Sequence, residues 1–198
     1  MTPVGILLTA SALHVATTDG LAALPQETGG ILLGFRTSDL VVVTQALTVA
    51  DPRSNRHSYQ RHRQAAQAKM AAAGINKTPG IGYVGEWHTH PLDCPPSATD
   101  IRALTATARL TTTAVALIVL AHRADRSVAI HGLTAARKPC PVPAISPVHL
   151  YLASPTVTDD DAASLEAEAV EALTSPGGSS LNVSPTHRPA DTPQEAGA

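Results

Sequence analysis

The sequence predicts a single α/β domain over residues 1–153, a β-sheet flanked by helices, followed by an acidic extension over residues 154–198. Three observations predict it. Apolar, β-rich runs alternate with Ala-rich stretches that suit helices. The core-forming residues are mostly aliphatic, with 43% hydrophobic but only 3% aromatic residues in a chain of 198, long enough to bury a core. The formal net charge of −2 conceals a break near Ser154: residues 1–153 carry 13 Lys and Arg against 8 acids (+5), and the remainder carries 8 acids against Arg188 alone (−7).

Val4 to Leu8 is a short apolar run that reads as a strand, and Ser11 to Leu24 has the Ala and Leu spacing of a helix, broken by Gly20 and Pro25. Thr28–Phe35 and Leu40–Val49 flank the polar turn Arg36–Asp39 and form a predicted hairpin. Tyr59–Ala73 is rich in good helix formers and ends at Gly74. Gly80–His90 reads as a strand, Pro91–Pro96 as an irregular loop and Ala98–Leu110 as a helix. Thr111–Leu120 and Ser127–Leu133 make a second hairpin of β-branched strands, and Val148–Leu152 is a candidate last strand. Beyond Ser154, Asp159–Leu173 has its acids first, as a helix dipole favours, while Ser175–Ala198 has the composition of a disordered tail.

Two cysteines, Cys94 and Cys140, do not make a disulfide framework, and a reducing compartment fits them. The opening VGILLTA lacks a charged flank, since the first basic residue is Arg36, so a cytoplasmic protein is expected. No apolar run approaches the roughly 20 residues of a membrane span, so no membrane partner is expected. A charge of +5 without an aromatic platform likewise argues against nucleic acid. Oligomeric state is not legible.

The chemistry concentrates in HTHPLDCPPSATD, residues 88–100. On a strand, residues i and i+2 share a face about 6–7 Å apart, so His88 and His90 can converge on one ion while Thr89 points away. A catalytic zinc commonly takes three protein ligands and keeps one position for water. Asp100 is the candidate third ligand, since Ser97 resembles an N-cap that places it in the first turn of the next helix. Hydrolysis also requires a base, and Glu27 in ETGG opens an apolar strand where core packing does not explain a charge.

Taken in order, an upstream Glu, then His-x-His-Pro, a short loop and Ser-x-x-Asp, the pattern resembles the JAMM/MPN+ (JAB-domain) zinc metallopeptidases. GYVGEWHTHP is similar to bacterial members that act on ubiquitin-like conjugates, including those of antiphage operons. The resemblance implies a curved mixed sheet over roughly residues 4–152, Zn2+ on His88, His90 and Asp100, Glu27 as general base and acid, and Ser97 helping to stabilise the oxyanion. It implies hydrolysis of the bond after the C-terminus of a ubiquitin-like or sulfur-carrier protein, in deconjugation or precursor processing. Two alternatives stand beside it: release of a small amino-acid adduct from a sulfur-carrier protein, and a non-catalytic MPN-type scaffold. Six residues, Pro91–Pro96, separate His90 from Ser97, where the family usually has seven.

Each fragment has a plainer meaning. Ser97-x-x-Asp100 is an acceptable capping box, and two histidines at i and i+2 can be a surface pair. Glu86 lies on the strand face of His88 and competes with Glu27 for the base, or serves behind it. Trp87 is expected to pack beneath the site, and Cys94 could ligate, inhibit or do nothing. Arg53, Arg56, Arg61 and Arg63, with His57 and His62, read as a solvated helix face or a patch for an acidic partner.

Overall fold

The structure, a computed structural model, describes residues 5–75, 79–137, 144–152 and 182–183. The chain runs β1 (Gly5–Leu8), α1 (Ala10–Ala23), β2 (Gly29–Arg36), β3 (Leu40–Thr48), α2 (Arg63–Ala72), β4 (Gly82–His90), α3 (Ala98–Arg109), β5 (Val115–His122), β6 (Val128–Ala136), β7 (Ala144–Pro147), β8 (His149–Leu152) and β9 (Asn182–Val183). The sheet has the order β7-β6-β5-β4-β2-β3-β1-β8, with β9 pairing beside β6. Both expected hairpins form, β2 with β3 and β5 with β6, each antiparallel. The expected helix Asp159–Leu173 and the boundary at 153/154 lie outside the described residues; of Ser175–Ala198 only β9 is described.

Curvature comes from the chain's return path. β7 pairs with β6 at one edge and β8 with β1 at the other, yet only Val148 separates β7 from β8. The Val148 amide donates to the Gly132 carbonyl of β6 at 3.4 Å, and a Cβ on Gly132 would meet Leu150 at 2.9 Å. One nearly continuous segment therefore bridges both edges, and the sheet curls towards closure, which protects its edges.

β1, β3, β4, β5 and β8 run in one direction, as their parallel pairings and the antiparallel partnership of β2 with β3 and β4 require. Their carboxyl ends therefore share one rim, where β2 begins. Rims of this kind gather loops from several strands.

The sheet faces divide the core. Ile6, Leu8, Leu32, Val41, Val43, Val84, Trp87, Ile118 and Leu120 pack against Ala12, Leu13 and Ala16 of α1. Thr9 caps α1 by accepting from the Ala12 amide at 3.3 Å. On the other face, Leu104 and Ala108 of α3 cover Val115, Leu117 and Val119, and Ala66 of α2 covers Ile31, Leu33 and Val49. A register shift between Leu32 and Leu33 skips Val84, which lets Val84 and Trp87, three residues apart, share the α1 face. Trp87 is 1% exposed, and burying such a side chain contributes about 3 kcal/mol. It packs under the site, as expected.

Two sequence expectations shift. Gly20 does not break α1, which continues to Ala23; a Cβ there would meet Thr89 at 2.8 Å, so glycine lets the helix approach the end of β4. The helix expected over Tyr59–Ala73 begins only at Arg63. Tertiary contacts hold the preceding residues: Tyr59 donates to the Val49 carbonyl at 2.8 Å, the Gln60 amide to Asp51 at 2.9 Å and Arg61 to Glu86 at 2.9 Å. Helix propensity is a weak prior against such bonds.

Candidate metal centre

His88 and His90 end β4, pointing by strand alternation to the face opposite Trp87 and Thr89. Both are buried, at 8% and 6% exposure, which is uncommon for a polar ring unless it has a partner. Asp100 reaches them from the first turn of α3. There the capping box is complete: the Ser97 hydroxyl accepts from the Asp100 amide at 3.2 Å, and Asp100 Oδ2 accepts from the Ser97 amide at 2.6 Å. The cap and the cluster are thus one structure, since the same carboxylate that closes the helix end faces the histidines.

The donor atoms converge. His88 Nε2 lies 3.1 Å from His90 Nε2 and 3.3 Å from Asp100 Oδ1, and His90 Nε2 lies 3.4 Å from Asp100 Oδ2. Four ligands at zinc–nitrogen and zinc–oxygen distances would stand about 3.3 Å apart on a tetrahedron's edges. The spacing and the N, N, O donor set fit a divalent cation of that size.

The outer nitrogen of His90 is also held. Nδ1 lies 3.2 Å from the Cys94 carbonyl, which can only accept, so Nδ1 carries the hydrogen and the Nε2 lone pair faces the cluster. The Cys94 thiol lies 3.2 Å from the same Nδ1, on the side of the ring away from the converging donors. Within the cluster, burial pushes the Asp100 carboxyl up, but hydrogen bonds from His88 and His90, the charge of His88 and the bond from Ser97 outweigh it and leave it far below the usual carboxylate range. The hydrogen bond to Asp100 conversely raises His90 against the effect of burial.

Glu27 stands two residues before β2, joined to the end of β4 by a tight seam. The Thr89 amide donates to the Thr28 carbonyl at 2.8 Å, and the Thr28 amide to the Thr89 hydroxyl at 2.9 Å. Gly29 pairs with His88, and a Cβ on it would meet the Trp87 carbonyl, Tyr59 at 2.7 Å and His88 at 2.8 Å. The ETGG glycine therefore permits the close approach of the start of β2 to the end of β4. Burial raises the Glu27 carboxyl; His88 and His90 lower it and Asp100 raises it, so it lies within electrostatic reach of the whole cluster.

Glu86 shares the face of His88 but is engaged elsewhere, accepting from Arg61 and from the Tyr83 hydroxyl, each at 2.9 Å. Arg61 is therefore a tertiary clamp rather than part of a solvated helix face. The Thr28–Thr89 seam and His131 have no local signature in the sequence. That histidine lies on β6 across Val119 from His88, with Nε2 buried and without a hydrogen-bond partner among the described residues. Only strand pairing brings it near, and no local motif announces it.

Residues 9–131 match the family described as prokaryotic homologs of the JAB domain, a span that contains Glu27, His88, His90, Ser97 and Asp100. The chain belongs to this family. Among its relatives, this JAB-domain chain is 35% identical over 107 residues to a CD-NTase/cGAS isopeptidase of Enterobacter hormaechei subsp. hoffmannii (strain UCI 50). That match covers 52% of this chain and 58% of the relative, so the JAB-domain chain spans less than two thirds of that protein. Among solved structures, the solution structure of protein DSY2949 from Desulfitobacterium hafniense aligns with a TM-score of 0.55 and 17% identity, covering 75% of this chain and 93% of that one. This likeness establishes a shared fold. The curved mixed sheet expected from the sequence is the observed one. Among the described residues, no helix is long and apolar enough to cross a membrane.

Proposed function

We propose that this JAB-domain chain is a zinc-dependent isopeptidase that hydrolyses the bond after the C-terminus of a ubiquitin-like or sulfur-carrier protein. The observation that carries this reading is the convergence of His88 Nε2, His90 Nε2 and the Asp100 carboxylate at 3.1–3.4 Å, with the half-buried Glu27 in electrostatic reach. The isopeptidase name of the Enterobacter relative supports the reaction class and adds one substrate candidate, a conjugate containing a CD-NTase/cGAS-type protein.

His88, His90 and Asp100 would hold the ion. When bound, zinc supplies a Lewis acid for the scissile carbonyl and lowers the pKa of a water towards 7. Glu27 accepts the proton of the attacking water and returns it to the departing amine. Its raised carboxyl suits both steps, because a base with a pKa nearer neutrality is also a better acid afterwards. The Ser97 hydroxyl accepts from the Asp100 amide and keeps its own hydrogen for the developing oxyanion. The bonds of Glu86 to Arg61 and Tyr83 engage it elsewhere and favour Glu27 as the base.

The test is direct. Purified protein should contain one zinc per chain and cleave a linear fusion placed after the C-terminus of a ubiquitin-like protein or of a CD-NTase/cGAS-type protein. Cleavage should stop with chelator and resume with added zinc. A protein that neither contains nor takes up zinc would overturn the proposal.

A further inference from the structure

Glu27 lies ahead of β2, so no strand ladder fixes its backbone. Its amide instead donates to the Asn55 carbonyl at 2.8 Å, in the segment between β3 and α2. That segment, residues 51–62, is irregular but closely tied. Asn55 and Ser58 form a β-bridge, with the Asn55 amide donating to the Ser58 carbonyl at 3.0 Å, and the Asp51 carboxylate accepts from the Arg53 and Gln60 amides, each at 2.9 Å. Tyr59 anchors the middle, its hydroxyl on the Val49 carbonyl at 2.8 Å and its ring against the space a Gly29 side chain would fill. Arg61 anchors the far end, with Nε and Nη2 each 2.9 Å from Glu86 Oε1. Tyr83 holds Glu86 from the other side.

These contacts form one path from β4 to the base: Glu86 to Arg61, along the loop past Tyr59, and from Asn55 to the Glu27 amide. We propose that Glu86 and Arg61 are positioning residues for Glu27, acting through this loop. With only 26% and 25% of the two side chains accessible, the ion pair is largely buried, so removing one partner also costs stability, and rates are compared per folded molecule. Its consequence is geometric. Glu86 is two residues from His88 on the same strand, so the clamp references the loop, and with it Glu27, to the strand that carries two of the three donors. A catalytic group displaced by a fraction of an ångström loses rate without losing substrate affinity.

The inference deepens the hydrolase reading and rests on it for its kinetic arm, while hydrogen exchange gives an arm that requires no activity. Amide exchange across residues 24–30 and zinc content would be measured for the full chain, Glu86→Gln, Arg61→Gln and the double variant, with Arg61→Lys as the conservative replacement. In Glu86→Gln and Arg61→Gln, the Glu27 amide should exchange about tenfold faster and kcat should fall about tenfold, with KM within about twofold and zinc still one per chain. The double variant should be no worse than either single one, because both remove the same link. Arg61→Lys should recover part of kcat. Unchanged Glu27 exchange, or strictly additive single effects, would overturn the proposal, and so would loss of zinc in Glu86→Gln, which would place Glu86's effect on His88 instead. If the wild-type chain cleaves nothing, the hydrolase reading fails, yet the exchange measurement still decides whether Glu86 and Arg61 position Glu27.

Discussion

The two halves of the candidate site are built in different ways. His88 and His90 stand at the end of a regular strand, and Asp100 in the first turn of a capped helix, so strand alternation and one capping box set three donor side chains within thirteen residues of chain. Glu27 lies more than sixty residues away in sequence, outside any element, held by the Thr28–Thr89 seam and the Asn55 carbonyl. The donor half therefore owes its geometry to local structure, and the base half owes it to strand pairing and a loop. Damage to the first should appear in metal affinity; damage to the second should appear in rate.

The largest expected effect tests the donor half. His88→Ala and Asp100→Asn should each leave the protein folded but without stoichiometric zinc, and activity should fall by at least about 10³-fold. Asp100→Asn is the sharper variant because an amide oxygen can still accept from the Ser97 amide and keep the helix cap. Metal analysis beside a thermal melt checks this. A variant that lost zinc only in proportion to its lost stability would mean that Asp100 is a cap and nothing more.

Next in size, Glu27→Gln should retain one zinc per chain while kcat falls about 10²–10⁴-fold, the usual contribution of a general base. Its KM should stay near the wild-type value. Near-normal cleavage would break the proposed division between metal-holding and proton-moving residues.

This division also explains what could be read from the sequence. The strand, helix and loop carrying HTHPLDCPPSATD were legible, because periods of 2 and 3.6, a proline-rich loop and a capping box are local signals. Both hairpins and the convergence of His88, His90 and Asp100 followed from the same signals. The curl of the sheet was expected from family resemblance, but its cause was not visible: β7 and β8 divide one short segment between opposite edges, and nothing local in AISPVHLYL marks that change of partner. Residues 59–62 looked helical because Gln60, Arg61 and their neighbours favour helices, whereas the deciding bonds come from Val49, Asp51 and Glu86, distant in sequence. Arg61 thus appeared as one charge among several, when its partner on β4 makes it a clamp.

A smaller effect probes the seam that joins the halves. Gly29→Ala should destabilise the fold by about 1–3 kcal/mol, because its Cβ would press on Tyr59 and His88 and on the Trp87 carbonyl, and backbone cannot move aside as a flexible side-chain end can. Denaturant unfolding measures the loss. In the folded fraction, both zinc affinity and kcat should fall, since the collision reaches the His88 side chain as well as Tyr59 and the loop that holds Glu27. A loss of rate with zinc affinity unchanged would show that Tyr59 and the loop, not His88, absorb the collision.

The smallest effect concerns Ser97, which belongs to both descriptions. Its hydroxyl accepts from the Asp100 amide at 3.2 Å, so Ser97→Ala removes one bond of the cap, worth about 1 kcal/mol at an exposed helix start. The other bond survives, because Asp100 Oδ2 accepts from the backbone amide of residue 97, and alanine retains that amide. Asp100 should therefore keep its place, and zinc affinity should change by no more than about threefold. If the hydroxyl hydrogen also faces the developing oxyanion, kcat should fall about tenfold beyond any loss of folded protein, less than for a fully buried oxyanion donor because Ser97 is exposed. Comparing kcat per folded, zinc-loaded molecule isolates that contribution. A value equal to wild type would confine Ser97 to capping the helix that carries Asp100.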